Sequence, residues 1–348
     1  MVKPKRGFLQ IFIQLRSRWL PWILPVLALL TFISSWAAIY PAAVVERFFA
    51  RFIFPRLSHL AGEFADLAWF SWLDVIVPVV CVVGIILVVR RKWLWLANLA
   101  AGLYLVFFWT WGLNYHRQPL NSKLQLDSSR MESPAIVEFA RRAAVEINRL
   151  YGEKPNPIDV SNTQAEAVRR VRKVISVIDG ADWQGAERIK FSWVGGPWLR
   201  AAGVDGLFNP IAHEPIISRT LLDVERPFVI AHELAHVRGY TDEGDANVIA
   251  MFATLMSQDP AVRYSGWLSL WLYLRTPETE KLLDPGPRQD VQRIFERARA
   301  EQVRWVNDFQ RTLLDWFLKA NSVDEGVHSY SRIVLTAAGS EPFWDRFR

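Results

Sequence analysis

Residues 74–113 read DVIVPVVCVVGIILVVRRKWLWLANLAAGLYLVFFWTWGL, two apolar runs separated by the basic triplet RRK. A helix of about 20 apolar residues crosses the hydrocarbon core of a bilayer, which is about 30 Å thick. Another apolar run precedes these two, from Leu20 to Tyr40. The sequence therefore predicts a membrane domain over residues 1–115 with three transmembrane helices, at about residues 20–40, 69–89 and 93–113.

The positive charges indicate how these runs would be oriented. Lysines and arginines precede the first run and fill the turn at residues 90–92, and basic residues mark the cytoplasmic side of a membrane. We therefore expect a multi-pass protein of the cytoplasmic (inner) membrane, with a cytoplasmic N-terminus and an extracytoplasmic chain beyond residue 114. Arg47, Arg51 and Arg56 lie in the loop between the first two runs and oppose this orientation. A cleaved signal peptide is a second interpretation of the first run, but that run is longer than the apolar part of a usual signal sequence.

Composition narrows the class of protein further. Hydrophobic residues make up 51% of the chain, and the 17 tryptophans are many for a soluble protein. The net charge of +6 comes without an arginine-rich tract, so it indicates contact with a lipid bilayer rather than with nucleic acid. Cys81 is the only cysteine, which excludes an internal disulfide and a metal site built from cysteines.

The stretch VIAHELAHVRGYTDEGDAN, residues 229–247, places two of the six histidines four positions apart. On a helix this spacing puts both imidazoles on one face, and His232, Glu233 and His236 form the HExxH pattern of zinc hydrolases. Two imidazoles suit zinc, and Glu233 could act as general base for a water that the metal activates. Two structural histidines in a core helix are the alternative, but burying them with a glutamate is costly.

A catalytic zinc site needs a third protein ligand and one open position, and three acids are candidates. Asp242 stands six residues after His236, the short spacing of metzincins. Glu243 opens a predicted helix in which Asn247 follows one turn later, as in gluzincins, where a polar residue at that place orients a ligand histidine. Asp245 is the third candidate. The helix dipole favours all three acids near a helix N-terminus without any metal, and this explanation fits Asp242 best. The residues favour Glu243, with Asp242 as the main alternative.

Three separated stretches carry a resemblance to a known family: WGLNYHRQPL (111–120), HELAHVRGYTDEGDANVIA (232–250) and LKANSVDEGVHSYSRIV (318–334). The chain resembles an uncharacterised family of bacterial multi-pass membrane proteins whose motif is similar to that of gluzincin-type zinc metallopeptidases. The resemblance implies acids at Glu243 and Asp245 but not at Asp242, and so Glu243 as ligand with Asn247 beside it. The chain differs from the family at Asp245, where glutamate is more frequent. No substrate is implied.

The predicted fold is mainly α, with the three membrane helices followed by an extracytoplasmic, gluzincin-like α+β domain over residues 116–348. The expected function is a membrane-anchored metallopeptidase that binds one Zn²⁺ per chain through His232, His236 and Glu243. It would cleave a peptide or protein substrate, with Glu233 as general base. A non-catalytic membrane sensor or scaffold, with a structural zinc or a peptide-binding site, is the alternative.

Two other stretches could serve such a site. GLFNPIAHEPIIS, residues 206–218, could supply an edge strand with which an extended peptide pairs, or it could be an ordinary strand and turn. Tyr330 and Arg332, in HSYSR, could stabilise an oxyanion, or they could simply pack the C-terminal segment.

Overall fold

Helices dominate the computed structural model, which describes residues 20–180, 185–320 and 332–347. Fifteen α-helices and one two-stranded sheet lie within these residues, which confirms the prediction of a mainly α-helical fold with a small sheet. The helices before the sheet are α1 (Ile23–Trp36), α2 (Ala42–Val44), α3 (Phe54–Leu67), α4 (Leu73–Val89), α5 (Trp93–Thr110), α6 (Ser133–Glu153), α7 (Val160–Asp179) and α8 (Gly195–Ala202). The strands are β1 (Gly206–Asn209) and β2 (Glu214–Ile217). The remaining helices are α9 (Arg226–Val237), α10 (Glu243–Leu255), α11 (Pro260–Leu274), α12 (Pro277–Glu280), α13 (Pro285–Glu301), α14 (Arg304–Ala320) and α15 (Arg332–Ser340).

Three apolar helices form where the sequence predicts them, but they are shorter than predicted. Within the described residues, α5 is the one helix that is long and apolar enough to be a candidate membrane span, and only 11% of its 18 residues are buried. The apolar helices Leu20–Trp36 and Leu73–Val89 are shorter. The structure therefore supports association with a membrane through one candidate span, and three transmembrane helices stay a prediction.

Local structure at the helix ends explains the shortening. Helix α1 ends at Trp36, because Ala38 adopts a positive φ of 48°. Helix α4 begins at Leu73 rather than near Trp69, because the Glu214 carboxylate accepts hydrogen bonds from the backbone N–H groups of Trp72 and Leu73 at 3.0 Å. These contacts hold the preceding residues in a turn. The apolar runs form helices as predicted, but the turn at Ala38 ends α1 and the contacts of Glu214 set where α4 begins.

The sheet is a short antiparallel pair, in which Gly206 lies opposite Ile217 and Asn209 opposite Glu214. A parallel bridge joins Ile216 of β2 to Lys190, so β2 is the inner strand and β1 is the edge. The Lys190 ammonium is buried and pairs with Glu214 at 3.0 Å. Because Glu214 also binds the start of α4, this ion pair joins the sheet to the apolar helices.

The HExxH motif lies on α9, which packs against α10, α7 and the sheet. Pro227 occupies the first turn of α9, where its missing N–H has no cost. Gly239 ends the helix with φ of 79°, and a Cβ there would lie 2.6 Å from the Phe54 ring. Of the 13 residues of α10, 12 are buried, all except Glu243. The site therefore stands on two helices that are held rigidly in the core.

Candidate metal centre

Both motif histidines project from one face of α9, as the four-residue spacing predicts. The Nε2 atoms of His232 and His236 lie 3.1 Å apart. His236 is 7% exposed, and the indole N–H of Trp111 donates a hydrogen bond to its backbone oxygen at 3.0 Å. Two ring nitrogens that face each other at this distance can share one cation.

Glu243, the first residue of α10, completes a group of three ligand atoms. Its Oε2 lies 3.2 Å from His232 Nε2 and 3.7 Å from His236 Nε2. One ligand atom from each of the three residues falls within 4.8 Å of the others. We call His232, His236 and Glu243 the ligand cluster.

The other two candidate acids make different contacts. The Asp242 carboxylate caps α10 by accepting a hydrogen bond from the backbone N–H of Asp245 at 3.0 Å. The Asp245 carboxylate accepts one from the backbone N–H of Leu120, also at 3.0 Å. Of the three acids, Glu243 is thus the one that the structure brings to the histidines.

Hydrogen bonds at the second ring nitrogens fix how the imidazoles point. His236 Nδ1 donates to the carbonyl oxygen of Tyr240 at 2.7 Å, since a carbonyl can only accept. His232 Nδ1 lies 3.0 Å from Oδ1 of Asn247, which is the place that the sequence assigns to an orienting residue. With a proton on Nδ1 of each ring, the two Nε2 atoms face the shared position and are the atoms that could bind a metal there, as in other metal-binding histidines.

The histidines and the carboxylate of the ligand cluster shift one another's pKa values. Burial alone would lower the pKa of His236, but the adjacent Glu243 carboxylate outweighs burial and raises that pKa to about 9. Burial alone would raise the pKa of Glu243, whereas His236 and His232 hold it far below its usual value. The cluster therefore pairs a buried carboxylate with positive charge, and a cation in place of the shared proton would meet the same need.

Glu233 lies beside the cluster without a ligand role. Its side chain is 3% exposed, and its Oε2 has no hydrogen-bond partner among the described residues. Burial raises the pKa of Glu233 to about 7. A Cβ at Gly206 of β1 would lie only 2.3 Å from Glu233 Oε1, so a glycine at that position is what leaves room for the carboxylate.

A cavity of about 700 Å³ opens in front of these groups. It exposes His232, Glu233, His236 and Glu243, and much of the rest of its wall is apolar. The other apolar and aromatic lining residues include Phe107, Trp111, Leu207, Phe208, Phe228, Leu268 and Leu272. A site of this size and character suits part of a peptide or another small molecule.

Strand β1 presents a backbone edge to this cavity. Pro215 O and Ile217 N of β2 bond to Lys190 on the side away from β1, each at 3.0 Å. Their partners across the pair are Phe208 and Gly206, whose backbone N–H and C=O groups must therefore also point away from β2. Both residues line the cavity, as expected for an edge with which an extended chain could pair.

The region around residues 111–123 contributes a second group of buried charges. Arg117 pairs with Glu46 at 3.0 Å and with Asp179 at 3.4 Å, and Lys123 pairs with Asp179 at 3.0 Å. Lys123 also pairs with Glu46. The Tyr240 hydroxyl donates to Asp179 at 2.9 Å. We call Glu46, Arg117, Lys123 and Asp179 the ion network, and Tyr240 connects it to His236.

The motif did not predict three aromatic residues of the cavity wall. Trp111 and Tyr115 line the cavity, and so does Tyr273. Burial, with the carboxylates of Glu243 and Asp205, raises the pKa of Tyr273 to about 12, so its hydroxyl keeps its proton at neutral pH. The segment 111–120 does carry the family resemblance, which was a signal for Trp111 and Tyr115. Tyr330 and the side chain of Arg332 lie outside the described residues.

Comparison with known proteins identifies a family without adding a function. No curated protein and no solved structure matches the chain. The sequence model of one family, described as "Protein of unknown function (DUF3810)", matches residues 49–336. That range contains α4, α5, the ligand cluster and all of the ion network except Glu46. Because the match covers most of the chain, the protein belongs to the DUF3810 family.

Proposed function

We propose that the protein is a membrane-anchored zinc hydrolase, a metallopeptidase of the gluzincin type. One observation supports this proposal: the ligand cluster and Glu233 line the same cavity. Glu233 is buried, and its Oε2 has no hydrogen-bond partner among the described residues. Burying such a carboxylate unpaired costs stability. Groups of this kind cluster at functional sites because catalysis needs them.

The ligand cluster fits zinc. Two imidazole nitrogens and one carboxylate oxygen are the donors of many catalytic zinc sites, which keep a fourth position open. Asp242 and Asp245 are engaged elsewhere, which favours three protein ligands over the four of a structural site. When bound, zinc polarises a carbonyl group and lowers the pKa of a coordinated water to about 7.

Glu233 would move a proton in this reaction. Its carboxylate lies at the cavity wall, and its raised pKa of about 7 matches a group that accepts and then releases a proton near neutral pH. As general base it would take a proton from the attacking water and pass it to the leaving amine. Tyr273 and Tyr115, on the same wall, are candidate donors to the developing negative charge on the carbonyl oxygen.

The edge of β1 would hold the substrate. A peptide pairing with the outward backbone groups of Gly206 and Phe208 would run past Glu233, because Gly206 is in van der Waals contact with that side chain. Backbone pairing binds an extended chain largely independently of its sequence, and the apolar wall would select the side chains.

The anchoring helices complete the proposal. No residue of α4 is buried, and α5 is also nearly unburied, which suits contact with lipid rather than a protein core. We propose that α1, α4 and α5 cross the inner membrane, with the N-terminus and the basic turn at residues 90–92 in the cytoplasm. The ligand cluster then lies outside the cytoplasm.

Metal content is the test of the central claim. We expect about one zinc per chain in the detergent-purified protein, with loss of the metal in His236→Ala and in Glu243→Ala. Asp242→Ala is the matched control, since this acid follows the same turn but caps α10, and it should retain zinc. Absence of zinc from the wild-type protein after reconstitution would overturn the proposal. Zinc that is retained in Glu243→Ala but lost in Asp242→Ala would identify Asp242 as the third ligand.

A further inference from the structure

A group of large apolar side chains is exposed on α8, on α14 and just before α8. Trp193 and Trp305 are each 69% exposed, and Phe309 is 54% exposed. Trp198 and Leu313 are exposed as well. We call these five residues the aromatic ledge. Soluble surfaces rarely group so many large apolar side chains, and such patches usually contact a partner or a membrane.

The ledge is attached directly to the beginning of α4. The Asp74 carboxylate, in the first turn of α4, accepts hydrogen bonds from the backbone N–H groups of Trp193 and Val194, at 3.0 and 2.9 Å. A Cβ at Gly195 would lie 2.8 Å from Leu73. The first part of the ledge therefore lies level with the end of the apolar hairpin formed by α4 and α5, opposite the basic turn at residues 90–92.

Helix α14 extends the ledge by packing on α8. The Trp198 indole donates to the Gln310 side chain at 3.3 Å, and its ring lies 6.2 Å from that of Phe309. Trp305, Phe309 and Leu313 follow one another at four-residue intervals and so form one stripe along α14. Val306 and Asn307, on a different face, contact the protein instead. Helix α14 is thus amphipathic, with its apolar stripe turned outward.

The length of the hairpin indicates what covers this stripe. At 1.5 Å per residue, α4 and α5 are about 26 and 27 Å long, slightly less than the hydrocarbon core of a bilayer, about 30 Å. If a hairpin of this length crosses the bilayer, the residues beside the start of α4 and the end of α5 lie in the headgroup layer. Tryptophan is enriched in that layer, and Trp193 and Trp305 are the most exposed residues of the ledge.

We infer that the aromatic ledge is a lipid-docking surface that lies in the headgroup layer of the membrane. This inference rests on the anchoring part of the proposed function but not on its zinc chemistry. Phe107 in the last turns of α5 and Gln310 of α14 both line the cavity. The docked ledge therefore holds the cavity beside the membrane surface, where it would receive polypeptide segments that emerge from or lie on the bilayer.

Spin labels at single cysteines test the inference. In a Cys81→Ser background, a label is placed at Trp193→Cys or Trp305→Cys on the ledge. Ile85→Cys, in the hairpin and 62% exposed, is the membrane standard, and Val145→Cys on α6, also 62% exposed, is the aqueous standard. The protein is reconstituted in phosphatidylcholine–phosphatidylglycerol vesicles. Accessibility of each label to oxygen and to a water-soluble nickel complex is then measured.

We expect the oxygen-to-nickel ratio of both ledge labels to shift from the value at Val145 towards the value at Ile85. Ledge labels that match Val145, with Ile85 immersed, would overturn the inference and leave the anchoring intact. An Ile85 label that also matches Val145 would overturn both the anchoring and the inference. None of these outcomes depends on metal content or activity, so the zinc proposal is tested separately.

Discussion

The ion network and the ligand cluster are two buried groups of charge on either side of Tyr240, and they differ in how completely they are paired. In the ion network, Arg117 and Lys123 face Glu46 and Asp179, so two cations meet two carboxylates. Beside the ligand cluster, the Glu233 carboxylate keeps an oxygen without a partner among the described residues. The side chains of the network are buried, whereas the ligand cluster and Glu233 line a cavity.

This difference separates stability from chemistry. Paired charges in a core hold segments together, and removing one partner is costly because the other is left buried alone. Unpaired polar groups at a cavity lower stability, and they are retained where they act on a ligand. We therefore expect variants of the network to lose mainly stability and variants around the ligand cluster to lose mainly activity or metal.

The largest expected effect is that of Glu233→Gln. Glutamine keeps the shape but cannot accept the proton, so kcat/KM for a cleaved peptide should fall by about 10²- to 10⁴-fold. Zinc content should be retained because Glu233 is not in the ligand cluster. Thermal stability should not fall, because Glu233 Oε2 has no hydrogen-bond partner among the described residues. Peptide hydrolysis, metal analysis and thermal unfolding check this together. Unchanged hydrolysis would support the sensor or scaffold alternative.

Arg117→Ala should lower mainly the stability of the fold rather than the activity. It leaves Asp179 paired with Lys123, and Glu46 paired with Lys123 and with the exposed Arg51. Breaking a buried pair typically costs about 3–5 kcal/mol. The free energy of unfolding in mixed micelles is the measurement. Arg142→Ala is the control, since its pair with Glu341 lies at the surface and should cost less than about 1 kcal/mol. Equal losses of unfolding free energy in both variants would contradict the expectation that the buried pairs stabilise the fold more than the surface pair.

The ion network should also make the stability of the protein depend on pH. Burial alone would raise the pKa of Glu46, but its ion pairs with Arg117 and Lys123 lower that pKa to about 2. A carboxylate with a depressed pKa stabilises the fold above its usual value near 4.5, and this contribution is lost as pH falls towards 2. It amounts to about 3 kcal/mol. Unfolding measured between these pH values should be less pH-dependent in Glu46→Gln, and an equally steep dependence would be evidence against the pairing.

Gly206→Ala tests the space around Glu233. The added Cβ would lie 2.3 Å from Glu233 Oε1, so the carboxylate must move, and displacing a catalytic group by about 1 Å can cost about 10²-fold in rate. Gly152→Ala is the matched control, because a Cβ at that position has no described atom within 4 Å. Hydrolysis rates that fall equally in the two variants would show that Gly206 has no special role.

The smallest effect is expected for Asn247→Ala. Losing the contact with His232 Nδ1 frees that ring to rotate, and loss of such an orienting partner typically weakens metal binding by about 10- to 100-fold. Zinc affinity measured by competition with a chelator checks this. Val248→Ala, next to it in α10 and buried in the core, is the control and should leave the affinity unchanged.

Much of the ligand cluster could be anticipated from local periodicity. Residues four apart on a helix share a face whatever surrounds the helix, so the pairing of His232 with His236 follows from their spacing. The roles of Gly206 and Arg117 could not be anticipated in this way. Gly206 meets Glu233 across 27 positions of sequence, and Arg117 meets Glu46 across 71. Such contacts depend on how distant elements pack, which short-range patterns do not encode.

The sequence by itself determined the apolar runs, the mainly helical class and the two histidines on one helix face, because each depends on residue type and spacing over a few turns. The sequence favours Glu243 among three candidate acids, but only the tertiary structure decides which acid reaches the histidines and where α4 begins. Asp242, Glu243 and Asp245 lie within four residues, and their directions depend on the angle between α9 and α10. That angle is set by Gly239 against Phe54 and by burial of nearly all of α10, which are contacts between distant parts of the chain.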